Sequence, residues 1–204
     1  SQAALARILV ESDDLAKIAR ATLDQAKKLT GAEHGYVSSI DPQSNQNLGH
    51  TLPNQFDGRC LVDQESDMAF SPDQDGGYPG LWGASLNTGQ AFFSNEPQGH
   101  PAFKGPPAGH LALENFLSAP VMIQDAPAGQ ICLANRPGGF TNRDLDAVRR
   151  LGELFALGIR RHRETTAQQH LSAQLQQSQK MEALGTLVAG VAHEINNPIS
   201  LIIF

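Results

Sequence analysis

The chain has 204 residues, 40% of them hydrophobic, with a formal charge of −6 and a pI of about 5.6. That length suits one domain of about 100–200 residues plus extra segments. The acidic balance argues against a nucleic-acid partner, because phosphate binding needs a basic patch. The two cysteines, Cys60 and Cys132, lack metal-ligand spacing, which fits a reducing, cytoplasmic setting better than a disulfide framework. No run of about 18 apolar residues offers a membrane span. The sequence begins at Ser1 without a methionine and ends inside an apolar pattern. It therefore reads as a piece of a longer protein, with any membrane segment outside it.

The first predicted element is a helix over residues 3–29, where Leu5, Ile8, Leu15, Ile18, Thr22, Leu23, Ala26 and Leu29 recur at helical spacing. Thr30-Gly31 ends it, glycine being suited to the C-terminal cap. From about 34 to 137 the texture changes. "HGYVSSID" and "NLGHTL" predict two strands around the polar turn "PQSNQN". "GQAFFSNEP", "FLSAPVMIQD" and "AGQICLANR" predict three more, and "SPDQDGGYPG" and "GHPAFKGPPAGH" read as turn-rich loops. The fold class is α+β, an antiparallel sheet with helices and with long loops over one face.

A helix follows in "FTNRDLDAVRRLGELFALGIRRHRE", capped by Thr141 or Asn142, with Asp144 near its positive end. Leu145, Val148, Leu151, Leu154, Phe155, Leu157 and Ile159 cover more than one narrow stripe, so this helix is expected to pack on the sheet and on a partner. Residues 161–180 are polar, helix-compatible and free of Gly and Pro, with only Leu171 and Leu175 strongly apolar. Alone such a helix is marginal in water, so it is expected to be a two-stranded coiled-coil connector. The stripe resumes at Leu184, Val188, Val191, Ile195, Ile199 and Ile202. Together the long N- and C-terminal helices are expected to form a parallel dimeric bundle.

That last stripe carries "LVAGVAHEINNPISLIIF", and with it His193, Glu194, Asn197 and Pro198. His193 lies about 200° around the helix from Val191 and Ile195, at ~100° per residue, so it sits near the solvent edge. An imidazole there is a nucleophile with a near-neutral pKa. Asn197, four residues on, shares its face. Pro198 lacks an N–H and clashes with the preceding turn, so a kink is expected just past the histidine. On composition alone, a surface His-Glu on an ordinary helix is the bland alternative. A zinc-protease motif would need a second histidine where Asn197 stands.

The full string "KMEALGTLVAGVAHEINNPISLI" resembles the phosphoacceptor region of sensor histidine kinases, the dimerisation and histidine-phosphotransfer domain. The resemblance covers about residues 178–204. It implies that His193 receives the γ-phosphoryl group of ATP, that Glu194 accepts the proton, that Asn197 orients water for dephosphorylating the partner, and that Pro198 is the bend. It implies as partners a second copy of the chain, a response-regulator receiver domain and the family's own ATP-binding catalytic domain. ATP and magnesium belong to that domain, whose Asn- and Gly-rich boxes are not in this sequence.

Upstream, "TGQAFFSNEP", "PPAGHLALENFLSAPV" and "AGQICLANRPGGFTNRDLDAVRRLGELFALGI" resemble the second half of a GAF domain, a sensor module found before histidine kinases. The resemblance implies an antiparallel sheet with helices behind it and a ligand pocket on the opposite face. Four segments follow: an N-terminal signalling helix (1–30), a GAF sensor (31–160), a helical linker (161–180) and the first part of the phosphoacceptor helix (181–204). The small-molecule ligand is unknown. A covalent bilin would need a cysteine usually followed by histidine, whereas Cys60 and Cys132 both precede leucine. Cys132 fits a buried, inert thiol, and Cys60 a plain half-buried residue. An axial haem ligand could come from His50, His100 or His110; of these His110 is the weak candidate for ligand contact, against a role in tying its loop down. His34 reads as structural. Tyr78 and Trp82 in "GGYPGLWG" form either a lid over a pocket or a core plug. Asp63, Asp67, Asp73 and Asp75 lack the register of a calcium loop, and no metal site is expected. A GAF module with a different output, ligand-binding or dimerising, stands as the alternative to a kinase fragment. A hydrolase using the His-Glu pair lacks a triad or a second ligand set.

Overall fold

The computed structural model describes residues 7–9, 12–51, 69–105 and 112–199. Asp14 starts helix α1 (Leu15–Thr30). Its carboxylate accepts from the backbone N–H groups of Ala16 at 3.0 Å and Lys17 at 3.2 Å, two donors that a helix start leaves without partners. This cap corrects the expectation of one helix over 3–29. Residues 7–9 are helical but 12–14 are not. In that Ser-Asp-Asp run the side chains bond local backbone instead, with the Asp14 N–H donating to Ser12 Oγ at 3.2 Å. The other end is as expected. Gly31 takes φ 76°, its N–H donates to the Lys27 carbonyl, and Lys27 and Lys28 sit at the negative end.

Six strands follow the order β3-β2-β1-β6-β5-β4. They are β1 (His34–Ile40), β2 (Asn47–Gly49), β3 (Ala69–Phe70), β4 (Phe92–Ser94), β5 (Phe116–Ile123) and β6 (Ala126–Ala134), and all pairs are antiparallel. The five expected strands form. The sixth, β3, is two residues long and leaves no alternation to read. In the register Tyr36 faces Cys132, Ser38 faces Gln130 and Ser118 faces Cys132. A bulge between Val121 and Met122 shifts the β5–β6 pairing at its far end.

Alternation sends Val37, Leu117, Ala119, Ile131 and Leu133 to one face, under α1 and the first turns of helix α3 (Asn142–Ile199). There Ile18, Leu23, Val148, Leu151, Phe155 and Ile159 are each no more than 1% exposed. Burying a side chain of this kind is worth about 1.5–3 kcal/mol. Gly158 lets α3 close on α1, since a Cβ there would lie 3.1 Å from Ile18 Cγ2 and 3.3 Å from Leu9 Cδ2. A capping box opens α3. The Thr141 N–H donates to Asp144 Oδ2 at 2.8 Å, and the Asp144 N–H reaches Thr141 Oγ1 at 3.4 Å. Arg136 ties the two helices together. Its Nε donates to the Thr30 carbonyl at 2.6 Å and lies 3.5 Å from Asp144 Oδ2, and its guanidinium also donates to the Gly139 carbonyl.

The opposite face is covered by helix α2 (Gly80–Thr88), ended by Gly89 at φ 66°. The turn-rich reading of "SPDQDGGYPG" holds up to Pro79, and the helix that follows is not among the elements predicted from the sequence. Pro79 and the glycines dominate the local signal, yet Leu81, Ser85 and Leu86 fall on one buried side.

The chain divides into two compact units, Ser1–His162 and Arg163–Phe204. In the second, the expected linker and the start of the expected phosphoacceptor segment are a single stretch of α3, helical through Ile199. Leu171, Leu175, Met181, Leu184, Val188 and Val191 are all more than half exposed. Among the described residues no helix is long and apolar enough to cross a membrane.

Candidate functional site

The α2 face of the sheet is built by the residues that alternate away from the main core. Tyr36, Ser38 and Ile40 come from β1, Asn47 from β2, Phe70 from β3, Phe92 from β4, Phe116 and Ser118 from β5, and Gln130 and Cys132 from β6. Trp82 of α2 joins its two apolar clusters, one around Ile40, Tyr78 and Leu86, the other around Leu81, Phe116 and Cys132. Its ring lies 4.8 Å from Phe70 and 5.8 Å from Tyr78. The Tyr78 hydroxyl donates to the Asn45 carbonyl at 2.8 Å, which anchors the approach to α2. Of the two sequence readings, the core plug fits Tyr78, which is 9% exposed, whereas Trp82 is partly buried and both packs on the clusters and lines a cavity.

A row of buried, uncharged polar groups crosses this apolar face. One half is satisfied: Ser85 Oγ of α2 lies 2.7 Å from Ser118 Oγ, which lies 3.3 Å from Cys132 Sγ. The other half is not. Ser38 Oγ, both ends of the Asn47 amide and Gln130 Oε1 have no hydrogen-bond partner among the described residues, although Ser38, Asn47 and Gln130 are all 0% exposed. The Gln130 amide nitrogen donates to the Tyr36 hydroxyl. Whichever way that amide is turned, one end meets Tyr36 and the other is left over. Each such group costs about 1–3 kcal/mol, and a fold keeps that cost where something else is gained.

The electrostatics are those of a neutral site. Burial pushes the Cys132 thiol up to about 11, against smaller pulls from Ser118 and Tyr36. Burial, reinforced by Cys132, holds the Tyr36 phenol well above its ordinary range. These shifts favour the protonated forms at neutral pH, and the thiol is buried, as its sequence position implied. Elsewhere on this face, with no residue of the row in its wall, is a cavity of about 250 Å³ lined by Leu81, Trp82, Phe103, Leu113 and Phe116, together with Lys104. Concave, mostly apolar sites with a few convergent polar groups are the usual form of a small-molecule pocket.

The sequence model of the GAF domain matches residues 12–160. The chain belongs to the GAF domain family. Solved structures agree at the level of the fold. A GAF domain of a phosphoenolpyruvate-protein phosphotransferase from Coxiella burnetii superposes with a TM-score of 0.64 at 14% identity, covering 80% of this chain and 92% of that one. Residues 122 to 287 of a methyl-accepting chemotaxis protein give 0.63 at 15% identity, covering 80% and 99%. A domain described as belonging to a putative two-component sensor histidine kinase from Sinorhizobium meliloti 1021 gives 0.55 at 13%, covering 78% and 99%. A curated relative, the sensor kinase CckA of Brucella abortus (strain 2308), is 52% identical over 40 residues. That stretch is 20% of this chain and 4% of the relative, so the chain spans a small part of it.

The other candidate residues of the GAF domain are dispersed. His34 opens β1, 3.8 Å from Glu33. His50 Nε2 lies 2.8 Å from Ser39 Oγ, on the β1 face opposite the polar row. Its pKa is lowered by burial and by His162, with Asp14 opposing. His100 stacks on Phe92 with centroids 4.9 Å apart, and its Nδ1 accepts from the Ala102 N–H. Asp73 closes a turn by accepting from the N–H groups of Asp75 and Gly77. His110, Cys60, Asp63 and Asp67 lie outside the described residues. His193, Glu194, Asn197 and Pro198 fall within α3, with their side chains outside those described. Sequence reasoning missed the row Ser38, Asn47, Ser85, Ser118 and Gln130. The signal was there in part: Ser38, Ser118 and Gln130 stand at inward positions of strands rich in apolar residues.

Proposed function

We propose that this chain is the sensory region of a two-component histidine kinase. A small molecule acts on the GAF domain, and α3 leads from that domain to the phosphoacceptor His193. The observation that carries this reading is the string "KMEALGTLVAGVAHEINNPISLI", and the 52% identity to a sensor kinase over 40 residues supports it. One imidazole nitrogen of His193 attacks the γ-phosphorus of ATP held with magnesium by the kinase's catalytic domain. The bond to the β-phosphate oxygen breaks, ADP leaves, and Glu194 takes the ring proton. The phosphoryl group then passes to an aspartate of a response-regulator receiver domain. Asn197 places the water that later removes it, and Pro198 gives the helix its bend.

This reading has the protein as a parallel homodimer on the cytoplasmic side. The exposed apolar residues Leu171, Leu175, Leu184, Val188 and Val191 support the dimer, since a lone helix with such a stripe leaves it wet. A switch of this type needs two helix packings close in energy, which an apolar seam interrupted by polar residues favours. The second reading, a ligand-binding GAF module with another output, draws on the buried polar row, which needs no kinase. Labelled ATP and a supplied histidine-kinase catalytic domain separate the two. Acid-labile label on the wild type and none on His193→Gln supports the kinase; undiminished label on His193→Gln sinks it.

A further inference from the structure

We infer that the α2 face of the sheet takes an uncharged, flat ligand with adjacent hydrogen-bond donors and acceptors, held by Ser38, Asn47 and Gln130. The inference rests on reading the GAF domain as a small-molecule sensor and adds the class of molecule. The three residues sit on neighbouring strands, β1, β2 and β6. Two strand spacings and an offset of two residues along β1 separate Asn47 from Gln130, about 12 Å in all, the scale of one or two fused rings with their hydrogen bonds. All three are fully buried and all have unused polar atoms facing the α2 side.

The unused atoms set the chemistry. Asn47 offers a donor and an acceptor, Ser38 a hydroxyl, and Gln130 one end of an amide. A ligand that only accepts or only donates leaves part of the set unmet, whereas an amide-type edge meets both kinds. The surrounding rings are Tyr36, Phe70 and Trp82, which suit a flat, apolar body. No Asp, Glu, Lys, Arg or His stands among the described polar residues of the row. An anion or cation would there be desolvated without a countercharge. Metal ions are disfavoured for the same reason and because the Asn47 nitrogen needs an acceptor. Lys104 is in the cavity wall, lined by Trp82 and Phe116, and not in the row.

The test uses matched probes that differ in charge: nicotinamide against nicotinate, and uracil against orotate. Binding to the intact chain is followed by saturation-transfer NMR and by shifts of its assigned backbone amides. The neutral member of at least one pair should bind and move the amides of Ser38, Asn47 and Gln130, while its carboxylate partner should not. Asn47→Leu should weaken binding by about tenfold or more. It should melt no lower than the wild type, because Asn47 loses no side-chain hydrogen bond. Ser38→Ala, a one-atom change, gives the same readout should the leucine variant fold badly. Equal binding of the carboxylates overturns the neutral class and leaves the small-molecule pocket standing. Binding that Asn47→Leu and Ser38→Ala both leave intact places the probe elsewhere and overturns the site. No binding by any probe, with those amides unmoved, overturns the inference and leaves the polar row as a hydrated core; the kinase reading is then judged on His193 alone.

Discussion

Two residues apart on α3, Phe155 and Leu157 are predicted to behave in opposite ways. Phe155 is 0% exposed in the core under the sheet, and Leu157 is 55% exposed. Phe155→Ala removes a fully buried ring and leaves a cavity, a change that costs about 3–5 kcal/mol from a domain whose total is about 5–15 kcal/mol. For a domain of this size each kcal/mol moves the melting temperature by about 2–4 °C, so a drop of about 6–20 °C is expected. Leu157→Ala removes a side chain already half in water and should stay within about 0.5 kcal/mol, or about 2 °C. The assay is thermal unfolding followed by circular dichroism, with light scattering at each concentration. At low protein concentration the two variants should separate as described. If Leu157 packs against a second copy in the dimer, its variant should dissociate at a higher concentration than the wild type. A Leu157→Ala melting drop matching that of Phe155→Ala at low concentration would refute the assigned helix face.

Cys132 should resist iodoacetamide at about pH 8, where its raised pKa leaves almost no thiolate, and react in concentrated guanidinium; peptide mapping that finds it alkylated in the folded protein would contradict its burial. His50 has a folded pKa below its ordinary value of about 6.5. The unfolded chain therefore binds a proton that the folded one resists, so the histidine does no harm above about pH 6.5 and stability falls as the pH drops below it. His50→Gln should flatten the melting-temperature profile between about pH 7.5 and 5.5, and an unchanged slope would place that dependence elsewhere. Asn197→Ala in the complete kinase should keep autophosphorylation and lose dephosphorylation of the regulator, because a neutral amide holds water but does not act as a base. Equal loss of both activities would make Asn197 merely structural.

The strands were legible where alternation had room to repeat. β1, β5 and β6 run seven to nine residues, long enough for inward and outward positions to separate. β3 has two residues and no pattern. The cap at Asp14 was missed because the apolar stripe runs past it in phase, with Ile8 and Leu15 seven apart. Only side-chain competition at Ser12–Asp14 breaks the helix. α2 was hidden by Pro79, Gly80 and Gly83, whose propensities point away from helix while burial of Leu81 and Leu86 points toward it. The candidate site divides in the same way. His193 is proposed from a local string, which needs no tertiary pairing to be noticed. The buried row needs β1, β2, β5 and β6 brought side by side, and strand pairing between residues as distant as Ser38 and Gln130 is not a local property of sequence.

The central claim is that the state of the GAF face reaches His193. The measurement that meets it head-on is the initial rate of His193 phosphorylation in the complete kinase, wild type against Trp82→Ala, with folding of the variant checked by circular dichroism. Trp82 joins both clusters beneath α2, so its loss should shift the balance of sensor states. Coupling between sites of about 1–3 kcal/mol corresponds to about 5–150-fold, and the account predicts a rate change of about fivefold or more. A folded Trp82→Ala kinase that phosphorylates His193 at the wild-type rate would contradict it.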